Sequence, residues 1–267
     1  MSRFTLRRDA PPLWLTAMET RAVVERTTIP AVEPWLRRVR QGDGHPVLVL
    51  PGFTADDRST GPLRSILRSQ GYWVHGWRLG ANLGPTPHIV DGLAARFAAL
   101  HERHGGQPVS LIGWSLGGIF ARELARLAPD QVRQVITLGS PFRITEGAKS
   151  AVSGLYDSLR PLHTERVPLP PESDRPPLEV PATAIYTRTD GIVRWWQCLE
   201  SEGPRRESIA VLGSHSGLGF NPAAIYAVSD RLAQPVNDWQ PFTPPRWARG
   251  CYPKAVSWRP ELAPTPT

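Results

Sequence analysis

The sequence predicts an α/β fold: a doubly wound, mostly parallel sheet of about six strands with helices on both faces. Three observations predict it. From His45 onward, apolar runs of strand length alternate with longer amphipathic stretches. The runs are short and the stretches between them long enough for crossover helices, the signature of a parallel sheet covered on both faces. One of them passes directly into a helical stretch through the turn Gly113-Trp114-Ser115-Leu116-Gly117-Gly118.

Taken in order, residues 1–43 read as a helical arm, with Leu13, Leu15, Val23, Val24, Trp35 and Leu36 set among charges. Residues 47–50 form the first strand, closed by Pro51-Gly52. A helix over 62–70 opens with proline and stops at Gly71. Residues 72–77 give a second strand. Residues 87–104 give an amphipathic helix with Ile89, Leu93, Phe97 and Leu100 on one face, ending at Gly105-Gly106. Further strands fall at 109–112, 132–138, 182–187 and 208–212, and further helices at 119–128 and 222–233. The stretch 141–181 is too long for an ordinary connection. It holds a helical pattern over 147–159 and then a proline-rich run. We therefore expect one main α/β domain over 44–233 with a cap insertion at about 142–180, and an irregular Pro/Trp-rich tail over 234–267. The 29 prolines, about twice the usual share, concentrate in the cap and the tail.

Composition narrows the classes. With 267 residues and 40% hydrophobic content the chain suffices for one substantial core. Two cysteines, Cys198 and Cys251, make no disulfide framework and no CxxC motif. The net charge is +7, but the arginines lie in scattered pairs such as Arg37-Arg38 and Arg205-Arg206 rather than in a stripe with aromatics. No nucleic-acid partner is expected. No run approaches the roughly 18 apolar residues of a membrane span, so no integral membrane contact is expected. Residues 10–18 follow Arg3, Arg7 and Arg8 but carry two prolines and no small-residue cleavage site, a poor signal peptide, so a cytoplasmic location is expected. Nothing in the sequence sets an oligomeric state.

The chemistry centres on Ser115. A strand-to-helix turn this tight strains the serine backbone, and glycines two residues to either side, Gly113 and Gly117, remove the side chains that would forbid it. The hydroxyl then stands at the carboxyl edge of the sheet, at a helix N-terminus that favours developing negative charge.

Residues 113–118, in this setting, resemble the nucleophile elbow of the α/β-hydrolase superfamily, in particular its compact bacterial lipase/esterase branch, over roughly residues 45–233. The resemblance implies a serine hydrolase with partners in the order serine, acid, histidine. His215, in the loop after the last strand, is then the general base, since the other downstream histidine, His163, lies in the cap. Asp190, after the strand over 182–187, is the orienting acid, with Glu146 as its competitor. The oxyanion hole falls to the backbone N–H groups of Leu116 and Phe53. Pro51 stands where the family commonly has histidine. An unperturbed imidazole would let activity fall below about pH 6. Trp114, Leu155, Tyr156 and Leu159 are candidates for an apolar acyl pocket, and Trp195 and Trp196 for the alcohol side or a cover on the sheet edge. The expected substrate is a small-molecule or lipid-like carboxylic ester. Thioesters, lactones, polyesters and acyl transfer use the same triad, and a catalytically silent binding protein is the alternative of a different class. No cofactor and no metal are expected, because His45, His75, His88, His101 and His104 form no ligand constellation.

Overall fold

In the computed structural model, which describes residues 10–143, 150–164 and 170–262, six strands share one sheet. They are β1 (Pro46–Leu50), β2 (Trp73–Gly76), β3 (Val109–Trp114), β4 (Val132–Leu138), β5 (Ala182–Tyr186) and β6 (Arg206–Ala210). Their spatial order is β2-β1-β3-β4-β5-β6 and every neighbouring pair is parallel. The chain runs outward from β1 to β2 and then returns across β1 to start β3. The winding therefore reverses between β1 and β3, where open sheets of this kind bind ligands.

Strand alternation divides the apolar residues between two layers. Val47, Val49, Ile112 and Ile136 face one core, with Leu63, Ile66 and Leu67 of α3 (Gly61–Ser69) and Ala224, Ile225 and Val228 of α7 (Pro222–Leu232). Leu48, Leu50, Leu111 and Val135 face the other, with Leu93, Phe97 and Leu100 of α4 (Pro87–Arg103) and Ala121 and Leu124 of α5 (Leu116–Leu127). Helix starts are chemically marked. Thr86 Oγ1 accepts the Ile89 N–H at 3.3 Å, and Asn221 Oδ1 accepts those of Ala223 and Ala224 at 3.0 and 3.1 Å. Caps of this kind contribute about 1 kcal/mol each.

The arm is helical through most of its described length. Helix α1 (Leu13–Ala17) passes through a 3₁₀ turn, Met18–Arg21, into α2 (Ala22–Leu36), which carries Pro30 and Pro34 and buries Ile29 and Leu36 in the first core. Helix α5 begins at Leu116, not at 119, because the serine turn feeds it without a spacer. Strand β6 lies two residues earlier than expected. It is an edge strand, where half-buried Arg206 and Glu207 are tolerated, while Leu212 has left the sheet and donates its N–H to the Cys251 carbonyl at 3.1 Å. In the insertion only α6 (Ser153–Ser158) replaces the expected helix over 147–159, of which residues 147–149 lie outside the described residues. The tail is tied down: Trp247 meets Trp35 edge-on at 5.1 Å, and Tyr252 Oη donates to the Ala223 carbonyl at 2.8 Å. Among the described residues no helix is long and apolar enough to cross a membrane.

Candidate active site

Ser115 occupies the single residue between β3 and α5, with φ +51° and ψ −121°. A non-glycine residue there carries strain of about 1–3 kcal/mol, so the surroundings must impose it. The Ser115 N–H is held by the Leu138 carbonyl at 2.8 Å. A Cβ on Gly113 would lie 2.3 Å from Gly118 Cα, and one on Gly117 would lie 2.5 Å from the Leu50 carbonyl oxygen. The first turn of α5 is thus pressed against the ends of β1 and β3, and only glycine leaves room.

The loops after β5 and β6 deliver the other two side chains. His215 Nε2 is 3.0 Å from Ser115 Oγ, and His215 Nδ1 is 2.6 Å from Asp190 Oδ2. The Asp190 carboxylate is itself fixed, since Oδ1 accepts the N–H groups of Ile192 and Val193 at 2.9 and 2.8 Å. An ionised carboxylate accepts only, so Nδ1 donates to it and the lone pair of Nε2 faces the serine hydroxyl. Asp190 and His215 are both buried. Burial by itself pulls the imidazole pKa down. The Asp190 charge and hydrogen bond, helped by the charge of Glu19, outweigh it and leave His215 above its ordinary 6.5. Ser115, His215 and Asp190 thus form one hydrogen-bonded line in which the base can take a proton from the hydroxyl.

The loop after β1 lies beside the serine. Leu50 pairs with Gly113 across the sheet, and a Cβ on Gly52 would come within 3.3 Å of Ser115 Cβ. The neighbouring Phe53 amide belongs to the same turn, and Leu116, as the first residue of α5, has no intrahelical acceptor for its N–H. Asn82 braces this turn: its Nδ2 donates to the Pro51 carbonyl at 2.8 Å and its carbonyl accepts the Thr54 N–H at 2.8 Å. Sequence reasoning missed Asn82, although its place in the Gly/Pro-rich stretch after β2 was a turn signal.

The aromatic and apolar candidates separate. Trp114 is not a pocket wall: it is buried in the core edge-on to Phe220 at 5.6 Å, and its indole N–H donates to the His215 carbonyl at 3.1 Å. Tyr156 of α6 packs against Phe53 at 5.4 Å and His163 at 4.9 Å, so it faces the serine side. Leu159 is half-buried, and Leu155 points outward with 51% exposure. Trp195 stacks on Tyr186 at 5.8 Å, and Trp196 is buried beside Cys198 and Leu199, so both cover the sheet rather than line an opening. His163 is held by the Leu83 carbonyl at 2.9 Å. Glu146 lies outside the described residues. The arm residues Glu19, Arg21 and Glu25, which hold the acid and histidine loops by their backbones, had no signal in the sequence.

A family model described as the alpha/beta hydrolase fold matches residues 46–165. Pimeloyl-[acyl-carrier protein] methyl ester esterase of Aromatoleum aromaticum is 32% identical over 31% of this chain and 42% of its own length. The protein of the same name from Aliivibrio salmonicida is 32% identical over 42% of this chain and 44% of its own. The chain thus spans less than half the length of these relatives. Lipase B of Aspergillus fumigatus superposes with a TM-score of 0.57 at 18% identity, over 74% of this chain and 54% of that one, a likeness of fold. The family match runs through the serine turn itself, and the all-parallel six-stranded sheet has the form of the α/β-hydrolase fold.

Proposed function

We propose that the protein hydrolyses carboxylic esters through an acyl-enzyme on Ser115. The observation that carries this reading is the unbroken line from Ser115 Oγ through His215 to Asp190, at 3.0 and 2.6 Å, on the carboxyl edge of a parallel sheet. His215 Nε2 takes the hydroxyl proton as Oγ adds to the ester carbonyl carbon. The carbonyl electron pair moves onto oxygen, towards the N–H groups of Phe53 and Leu116. Collapse of this adduct breaks the bond to the alkoxy oxygen, which leaves as the alcohol with the proton from His215. Water then adds to the acyl carbon, giving a proton to His215. The acid departs and the proton returns to Ser115. Asp190 fixes the tautomer and opposes the imidazolium charge.

The curated relatives carry the name of a methyl ester esterase, which supports an ester of a small alcohol. Tyr156 against Phe53 supports an apolar acyl portion. Replacing Ser115 with alanine tests the reading. Turnover of p-nitrophenyl butyrate is expected to fall by on the order of 10⁴-fold or more, with covalent fluorophosphonate labelling lost and the circular dichroism spectrum unchanged. Turnover that survives in a folded variant overturns it. Product analysis with added methanol separates hydrolysis, which yields the acid, from acyl transfer, which yields the methyl ester.

A further inference from the structure

The arm does more than cover apolar surface. Its 3₁₀ turn, Met18–Arg21, places Glu19 against the two loops that carry Asp190 and His215. Glu19 Oε1 accepts the N–H of Gly191 at 2.8 Å and that of His215 at 3.1 Å, and Oε2 accepts that of Ser216 at 2.8 Å. One carboxylate therefore bridges the residue after the acid and the base itself. Its neighbours act on the same loops. Thr16 Oγ1 donates to the Gly191 carbonyl at 2.7 Å, and Arg21 Nη2 donates to the carbonyls of Thr189 and Gly213 at 2.6 and 2.8 Å. Glu25 Oε1 accepts the Ser214 N–H at 2.8 Å. The approach depends on a missing side chain, since a Cβ on Gly191 would lie 2.3 Å from the Leu15 carbonyl oxygen.

We propose that Glu19 is a positioning residue for the hydrolytic reaction, its carboxylate setting the spacing between Asp190 and His215 and its negative charge supporting the imidazolium that forms when His215 takes the serine proton. The inference rests on reading Ser115, His215 and Asp190 as the reacting triad. Hydrogen bonds to an ionised acceptor are the strong class, and three of them converge here on loops with no direct strand pairing to each other. Burial raises the Glu19 pKa, but the N–H groups of Ser216, Gly191 and His215 outweigh it and hold the carboxyl below its usual value, so Glu19 is charged at neutral pH. The charged groups hydrogen-bonded to the two loops include Asp190 and, from the arm, Glu19, Glu25 and Arg21, while Arg188 of the acid loop turns to the Trp195 ring and the Lys254 carbonyl. Arg21 Nη2 contacts carbonyl oxygens of the two loops, whereas Asp190 makes the contact with the imidazole and Glu19 that with the His215 N–H. Both carboxylates raise the His215 pKa against its burial.

The test is Glu19→Gln. The amide keeps an oxygen for Gly191 and His215, turns a donor towards the Ser216 N–H, and removes the charge. The plateau of kcat/KM is expected to fall about tenfold, and the acid limb of the pH profile to move to lower pH, because the base is then less readily protonated. A residue that only stabilises the fold lowers Tm and leaves that limb in place. Glu19→Asp keeps the charge with a shorter reach. Its limb is expected to stay while its plateau falls severalfold. A Glu19→Gln variant with the wild-type plateau and limb overturns the proposal. If that variant does not fold, a wild-type plateau in Glu19→Asp overturns it. Loss of folding in both assigns Glu19 to stability alone and overturns it too. Ser115→Ala, run in parallel, keeps the two readings apart: turnover retained there removes the triad itself, whereas turnover lost there with an unaltered Glu19→Gln removes only the role of Glu19.

Discussion

At the scale of single residues, hydrogen bonding alone does not make a reacting site. Asp43, His45 and Ser110 repeat the contact order of the site, with His45 Nδ1 2.5 Å from Asp43 Oδ1 and Nε2 2.8 Å from Ser110 Oγ. Ser110, however, is the second residue of β3, wholly buried at the amino end of the strand, where no carbonyl reaches its oxygen. The two imidazoles also differ electrically. Burial and then the charge of Arg133 pull His45 below its usual pKa, against the pull of Asp43. For His215, burial is outweighed by Asp190 and Glu19 and the direction is upward. Because His215 must be neutral to act as the base of the proposed reaction, its protonation cuts the rate as pH falls through its pKa. The midpoint of the acid limb of kcat/KM for the free enzyme is therefore expected above 6.5, the ordinary imidazole value. A pH–rate profile in constant ionic strength checks this, and a limb centred near pH 5 contradicts it. The expectation of a limb near pH 6 was drawn from an imidazole without neighbours. Ser115, Asp190 and His215 were legible as candidates because each lies in the turn or loop that follows a strand. The shift was not, because Glu19 lies on a segment far away in the chain and only folding makes it a neighbour.

At the scale of elements, what was legible followed from local pattern. Helix α4 buries Ile89, Leu93, Phe97 and Leu100, the face expected from spacing alone, and its end coincides with the positive-φ pair Gly105-Gly106. Helix α6 was less legible because its six residues bury none of their side chains fully, so no periodic apolar face marks its limits. It is held by contacts distant in sequence. The Ala151 N–H donates to the Ile192 carbonyl at 2.8 Å, and Thr164 donates its N–H to the Pro85 carbonyl at 2.9 Å. The insertion is therefore anchored to the acid loop at one end and to the segment after Asn82 at the other, with Tyr156 over Phe53 between them. Removing that ring strips apolar surface from one side of the serine while leaving the hydrogen-bonded line intact. Tyr156→Ala is expected to raise KM for p-nitrophenyl octanoate by about tenfold, an aromatic contact and its buried area contributing about 1–2 kcal/mol. For the acetate ester kcat/KM is expected to stay within about twofold, because so short an acyl chain does not reach the ring. Steady-state kinetics on the two esters checks it, and equal losses on both take α6 out of acyl recognition.

At the scale of the whole molecule, the helix that follows Ser115 is secured by buried charge. Arg122 of α5 is almost wholly inaccessible and forms ion pairs with Glu172 and Glu200, while its guanidinium lies 3.8 Å from the centre of the Phe142 ring. Arg126 joins the same Glu172 at 2.6 Å, and Arg175 reaches Glu123 at 2.5 Å. Glu172 belongs to the stretch before β5 and Glu200 to the stretch before β6, so one side chain on α5 ties the serine helix to both. Removing one partner of a buried pair costs about 3–5 kcal/mol, because the remaining charge is left without compensation. Arg122→Met, which preserves volume, is accordingly expected to lower Tm by roughly 10 °C at neutral pH. The pH dependence of that loss follows from Glu172. Burial raises its pKa, but Arg122 and Arg126 outweigh it and hold the carboxyl below the usual 4.5. A carboxyl lowered on folding stabilises fully above its unfolded pKa, and that share disappears as pH falls through the folded value. In Arg122→Met the same carboxyl is a poorly compensated buried charge, which protonation relieves. The Tm difference between wild type and variant is therefore expected to be largest near pH 7 and to narrow as the pH is taken below 4.5. Calorimetric scans across that range measure it, and a difference constant with pH would show that Arg122 holds the three segments together by packing rather than by charge.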